Sequence, residues 1–269
     1  MRALWIILAF LVGIVVLVLI GLRIQPRPLA PVALKAGSVE TVALPHGLPE
    51  PVTRFYETLY GQQVPLVESV IISGRATMRI NGIRMPARYR FTHQAGEGYR
   101  HYIEATWFGL PMMQVNEWFV EGHGRMELPF GVSEGLKIDQ GANLALWAEA
   151  AWFPSLWVTD SRVEWTSVDD DTALMSVPWG EEREVFVVRV DPETGLLQML
   201  ESMRYKGEEA TVKTLWLNEV LAWDVVDGQM TSTESAVTWI DDGEPWAIFG
   251  AEEMVLNADV SQYLLARGE

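Results

Sequence analysis

The sequence predicts a mainly β protein: an N-terminal transmembrane helix, then a large curved antiparallel sheet, half-barrel-like, packed on one or two helices. Three observations predict it. Residues 3–22 form an uninterrupted apolar run without a charge. From Ser69 onward the hydrophobic period is two. Turn signals recur along the rest of the chain without the strand–helix–strand alternation that a parallel sheet needs.

The apolar run, ALWIILAFLVGIVVLVLIGL, is 20 residues long. At about 1.5 Å per residue it spans a hydrocarbon core of roughly 30 Å. Trp5 sits near one end, where an indole suits the membrane interface. A cleaved signal peptide is the rival reading. The run is long for one, no A-x-A site follows it, and Pro31 spoils cleavage at Ala30. Residues 1–23 are therefore read as a single-pass anchor. Residues 24–47 carry prolines at 26, 28, 31 and 45 and read as a semi-extended linker. Residues 48–269 form the β domain. Arg2 and the amino terminus nearly balance Arg23, Arg27 and Lys35 in the positive-inside count. We expect the domain on the periplasmic, extracytoplasmic side.

Pro49 to Tyr60 reads as a short helix, with Val52, Phe55 and Leu59 on one face and Gly61 as its stop. Next, Asn81-Gly82 is a two-residue hairpin turn. It sets Ile80 against Ile83, Met78 against Met85, Ala76 against Ala87 and Ile72 against Phe91. The other face pairs Arg79 with Arg84 and Arg75 with Arg88. A turn at Gly96-Glu97-Gly98 would set Phe91 against Ile103, Tyr89 against Ala105 and Ala87 against Trp107, continuing the apolar face without a slip. It also places Arg90 opposite Glu104. A third turn at Leu110-Pro111 would set Ile103 against Trp118 and Arg100 against Glu121. Turns at 169–171, 179–180, 191–195, 227–228 and 242–243 continue the meander.

Between the two runs of strands lies ANLALWAEAAWFPSLW, residues 142–157. Asn143, Glu149 and Pro154 break it too often for a bilayer span. Its apolar residues go nearly all the way round a helical wheel, so it reads as a buried helix near 142–155, packed on the sheet.

The segments LPEPVTRFYETL (48–59), AEAAWFPSLW (148–157) and VEWTSVDDDTA (163–173) resemble an uncharacterised bacterial domain-of-unknown-function family with LPxPVxRY and AExxWxP motifs. Phe55 stands where that pattern has its tyrosine directly after the arginine. The resemblance implies organisation over residues 45–250 and no known activity. The layout also resembles half-barrel carriers of lipoproteins and lipids, at the level of fold.

Composition excludes several functions. The chain has no cysteine, so disulfides, thiolate nucleophiles and sulfur-ligated zinc are absent. The net charge is −16, and beyond residue 23 there are 18 basic against 36 acidic residues. That field repels nucleic acid. GVSEG (131–135) matches G-x-S-x-G, yet the last histidine, His123, precedes Ser133, so the hydrolase triad has no histidine in order. Asp169-Asp170-Asp171 lacks the rest of a calcium loop and reads as a solvated turn.

Three features remain. Arg75, Arg79, Arg84 and Arg88 share the outer face without evident local partners. They are either compensated by distant acids or free to dock on anionic lipid or an acidic partner. His93 and His101 fall opposite each other on the apolar-side face. Their candidate third ligands, Gln114 and Asn116, are poor ones, so two hydrogen-bonded histidines are expected and no metal. Glu149, beside Trp147 and Trp152, is expected to be a buried acid bonded to an arginine or to indole N–H groups; the alternatives are a polar anchor in an apolar cavity or an acid–base group. No cofactor and no catalytic residue is expected. The first functional expectation is a non-enzymatic, membrane-anchored accessory or assembly subunit of a larger membrane complex, photosynthetic or respiratory. Its anchor helix and β domain would meet membrane lipids and protein partners. The alternative is an extracytoplasmic lipid or hydrophobic-ligand carrier.

Overall fold

The computed structural model describes residues 2–268. Helix α1 (Arg2–Gly21) carries the apolar run. Its window Leu4–Gly21 has a mean hydropathy of 3.2 and is almost wholly uncovered by the rest of the chain, so it is long and apolar enough to cross a membrane. Strand β1 (Thr41–Ala43), helix α2 (Glu50–Tyr60) and strand β2 (Gln63–Pro65) follow. Helix α2 follows Pro49, one residue later than the sequence predicts, and ends as predicted where Gly61 takes φ +73°.

The remaining strands are β3 (Ser69–Ile80), β4 (Ile83–Gln94), β5 (Gly98–Trp107), β6 (Leu110–Val120), β7 (His123–Leu128) and β8 (Gly131–Glu134) before the central helices. After them come β9 (Glu164–Ser167), β10 (Thr172–Trp179), β11 (Glu182–Val190), β12 (Leu197–Arg204), β13 (Thr214–Val226), β14 (Gln229–Trp239) and β15 (Pro245–Leu256). They form one 13-stranded antiparallel sheet in the order 8-7-6-5-4-3-15-14-13-12-11-10-9. Each run of strands is a meander, and the last strand, β15, joins the two runs through β3.

Helix α3 (Leu136–Ala148) touches β6, β7 and β8 near one edge of the sheet and β10 and β12 near the other, so the sheet wraps around it. The inward residues Val70, Ile72, Tyr89, Phe91 and Phe249 form one buried cluster with Leu144, Trp147 and Trp152. Trp152 meets the rings of Tyr89, Phe91 and Phe249 at 6.2, 5.8 and 6.4 Å.

The expected helix near 142–155 differs at both ends. Helix α3 starts six residues earlier, after Gly135 at φ +105°. It gives way at Glu149 to a 3₁₀ turn, Glu149–Trp152, and then to a single turn, α4 (Leu156–Thr159). Pro154 is the cause. It has no N–H to donate, and it pushes Phe153 out of helical geometry, to φ −142° and ψ 62°.

The Asn81-Gly82 hairpin has the expected register, including Met78 opposite Met85 and Arg75 opposite Arg88. Both turn residues have positive φ. The next hairpin turns one residue earlier than expected, over 95–97, so each partner changes by two: Gln94 pairs Gly98, Phe91 pairs His101 and Tyr89 pairs Ile103. Gly96 at φ +69° permits this closure. A shift of two keeps each side chain on its face but changes the partners, so Arg88 meets Glu104, Arg90 meets Tyr102 and His93 meets Tyr99. The third turn is Phe108-Gly109, both at positive φ, because Pro111 cannot take such a conformation. With a bulge at Ala105/Thr106, Ile103 meets Val115 and Arg100 meets Trp118. Trp118 therefore lies on the outer face, and Glu117 takes the inward position.

The linker lies along the sheet. Arg88 donates to the Arg27 carbonyl and Arg90 to that of Ala30, while the Val32 N–H reaches Glu253 at 2.8 Å. Val32 and Leu34 pack with Ile71, Ala258 and Val260 in a second small core. The C-terminal tail covers more of the outer face: Arg100 donates to the Gly268 carbonyl, and Arg267 stands over the Trp118 ring.

Candidate functional site

The concave face and the central helix do not fill the space between them. A cavity of about 290 Å³ remains. Its walls are largely apolar and include six large aromatic residues: Phe91, Trp152, Trp216, Trp239, Trp246 and Phe249. One end is polar, with His101, Glu117, Glu149 and Arg204.

Alternation on β4, β5 and β6 puts His93, His101 and Glu117 on the same inward face as Phe91. Glu149 descends onto them from the end of α3. Its Oε2 lies 2.7 Å from His101 Nε2 and 3.1 Å from His93 Nε2. On the other side of the ring, His101 Nδ1 lies 3.5 Å from Glu117 Oε2. The Tyr99 hydroxyl donates to Glu117 Oε1 at 2.6 Å. His101 is held between two rings, Phe91 at 3.8 Å and Tyr99 at 4.0 Å. The Arg204 guanidinium stands 4.3 Å over the Trp216 ring. Gly141 of α3 makes room for it, since a Cβ there would come within 3.0 Å of Arg204 Nε.

Burial disfavours every charge in this cluster, and the contacts decide which survive. Burial pulls the His101 imidazolium down, but Glu149 and Glu117 outweigh it and raise its pKa to about 9. Burial likewise opposes the Glu149 carboxylate, and His101 with His93 reverses this, holding it at about 2. Glu117 is lowered as well, with burial overcome by His101 and Tyr99. Burial dominates at His93 and lowers its pKa. The cluster thus holds two carboxylates, an imidazolium and a guanidinium beside a neutral imidazole.

The chain matches the model of DUF6544, a family of unknown function, over residues 37–251. The chain belongs to this family. No functionally curated protein matches it. Among solved structures this DUF6544 chain is similar to a DUF1329 family protein from Desulfovibrio piger, with 11% identity and a TM-score of 0.43, covering 74% of this chain and 90% of that one. It is also similar to a LolA superfamily protein from Nitrosomonas europaea, with 10% identity and a TM-score of 0.45, covering 80% of this chain and 96% of that one. At these values the likeness carries nothing about a ligand.

The sequence-derived site residues separate into three places. Glu149 and Trp152 lie at the cavity. Trp147 is fully buried, and its carbonyl accepts from the Trp157 indole at 2.9 Å. The four arginines lie on the outer face, each with a carboxylate: Arg75 with Glu252 at 2.6 Å, Arg79 with Asp242 at 2.9 Å, Arg84 with Glu244 at 2.7 Å and Arg88 with Glu104 at 2.6 Å. Glu149 is hydrogen-bonded to His101, with His93 close by, where an arginine or indoles were expected. Sequence reasoning missed Glu117 and Arg204. The bulge at Ala105/Thr106, which no sequence signal marks, turns Trp118 outward and Glu117 inward and so hid Glu117. Arg204 ends β12, which the 191–195 turn signal precedes but, with an irregularity at Arg189/Val190, does not set in register.

Proposed function

We propose that this protein is a membrane-anchored, non-enzymatic binder of a hydrophobic or amphiphilic ligand, with its β domain outside the cytoplasm. The aromatic cavity with one polar end carries the reading. Its volume of about 290 Å³ lies near the low end of ligand pockets, which run from about 300 to 1,000 Å³. It fits one small amphiphile or part of an acyl chain.

The position of the cavity supports a membrane ligand. Its partly exposed lining residues, Lys206, Trp239 and Trp246, sit at the strand ends beside the turn at 240–244. Ala247 pairs Met78, so that end of the sheet is also the end of the Asn81-Gly82 turn and of the Phe108-Gly109 turn. The latter turn holds the anchor: Phe108 N–H donates to the Gly21 carbonyl at 3.0 Å. Ile83, Leu110 and Met112 expose apolar side chains at this rim, which suits contact with a bilayer. The accessory-subunit reading has less support, because the outer arginines already have carboxylate partners within the chain.

The test is binding of an environment-sensitive fluorescent acyl probe to the full chain and to Leu200→Trp. Leu200 is buried and lines the cavity, so an indole there occupies the ligand space. Saturable binding that the substitution weakens at least about tenfold supports the reading. Equal binding by both proteins contradicts it. A periplasmic reporter fused to the C-terminus tests the side of the membrane.

A further inference from the structure

The polar end of the cavity has more donor capacity than an amphiphile needs. His93 is fully buried, and neither of its ring nitrogens has a hydrogen-bond partner. Its Nε2 approaches Glu149 Oε2 at 3.1 Å without hydrogen-bond geometry. A buried imidazole without a partner is costly, and its lone pair converges with those of two other donors. One nitrogen each from His93 and His101 and one oxygen of Glu149 all lie within 4.8 Å of one another.

We propose that His93, His101 and Glu149 bind a divalent transition-metal ion at the polar end of the cavity. Two imidazoles and a carboxylate, without sulfur, suit zinc and its first-row neighbours. Zinc held about 2.0–2.1 Å from each donor in a tetrahedron sets the donors roughly 3.4 Å apart. The two Glu149 contacts, 2.7 and 3.1 Å, are already near that value, and the imidazoles close the rest by a small ring movement. The surroundings match those of metal-bound histidines. Glu117 lies behind His101 Nδ1 at 3.5 Å, and Tyr99 orients Glu117 in turn. Glu149 is partly accessible where it lines the cavity, which leaves a coordination position facing the ligand space. The site does not depend on the lipid-binding reading, since the ion is held by protein donors alone.

The experiment is titration of zinc into the full chain in detergent after removal of metals with a chelator. One ion per chain with micromolar or tighter affinity is expected. His93→Gln and His101→Gln should each weaken binding by more than about 100-fold. Glu117→Gln, behind the ligand, should weaken it by about 10–100-fold. His46→Gln, at an exposed position, should change nothing. Circular dichroism establishes whether the buried variants fold. If they do not, zinc-edge X-ray absorption of the wild-type complex decides the matter, with two imidazoles and oxygen expected around the ion. Absence of saturable binding, unchanged affinity in folded histidine variants, or an ion shell without imidazole overturns the proposal.

Discussion

Replacing Glu149 with Gln tests the electrostatics of the buried cluster. The substitution keeps the shape of the side chain and removes its charge. The pKa of His101 stands at about 9 instead of 6.5 because Glu149 and Glu117 stabilise its cation. Burial alone would lower that pKa, so the net rise, worth roughly 3 kcal/mol at about 1.4 kcal/mol per unit, is the least that the two carboxylates contribute. Glu149 is the nearer, at 2.7 Å against 3.5 Å, so its share is about 2 kcal/mol. For a domain of this size that lowers Tm by about 4–8 °C. The assay is thermal unfolding of the chelator-treated chain by circular dichroism across pH. The folded pKa of His101 is raised, so its contribution is complete below about 6.5 and is lost as pH rises through 9. The folded pKa of Glu149 is depressed, so its contribution is present above its ordinary value of 4.5 and is lost as pH falls toward 2. The difference between wild type and variant should therefore be largest between pH 4.5 and 6.5 and should shrink by pH 10. A difference that persists at pH 10, or a variant more stable at pH 6, refutes the pairing.

Other expectations concern the frame around the cavity. Tyr56→Phe removes the 2.6 Å hydrogen bond to the Pro154 carbonyl, which is buried, and should destabilise the chain by about 1–3 kcal/mol in denaturant melts. Gly74→Ala puts a Cβ against the Gly250 carbonyl oxygen across the β3–β15 junction. It should cost about 1–3 kcal/mol, read as a lowered urea midpoint, and an unchanged midpoint would contradict that packing. In Leu200→Trp, loss of the acyl probe with a Tm within a few degrees of wild type is expected, because the indole enters space that is already open.

The sheet was largely legible because its alternation is strict. Asn81-Gly82 fixed the register of β3 and β4, and a two-sided strand tolerates no single-residue slip. The parts that escaped are those decided by turn geometry and by one bulge. Gly96 moved one hairpin turn back by a residue, and Pro111 moved the next turn back to Phe108-Gly109. Both changes shift partners by an even number and keep the faces; the bulge at Ala105/Thr106 adds the odd residue that turned β6 over and exchanged Trp118 for Glu117. The cavity itself lies beyond sequence patterns, since it depends on how tightly a curved sheet closes on a helix. Glu149 stood out as a lone acid among tryptophans, yet its partners come from strands some 50 residues away. Arg204 needed Gly141, a gap in a helix, for its place to become apparent.

Native mass spectrometry of the full chain, purified from its cells in mild detergent, addresses the cavity most directly. One bound amphiphile per wild-type chain, absent from Leu200→Trp, is the expected outcome. A wild-type chain that carries no ligand, or the same lipid retained by both proteins, would mean that the space beside Trp152 and Trp216 holds no membrane molecule.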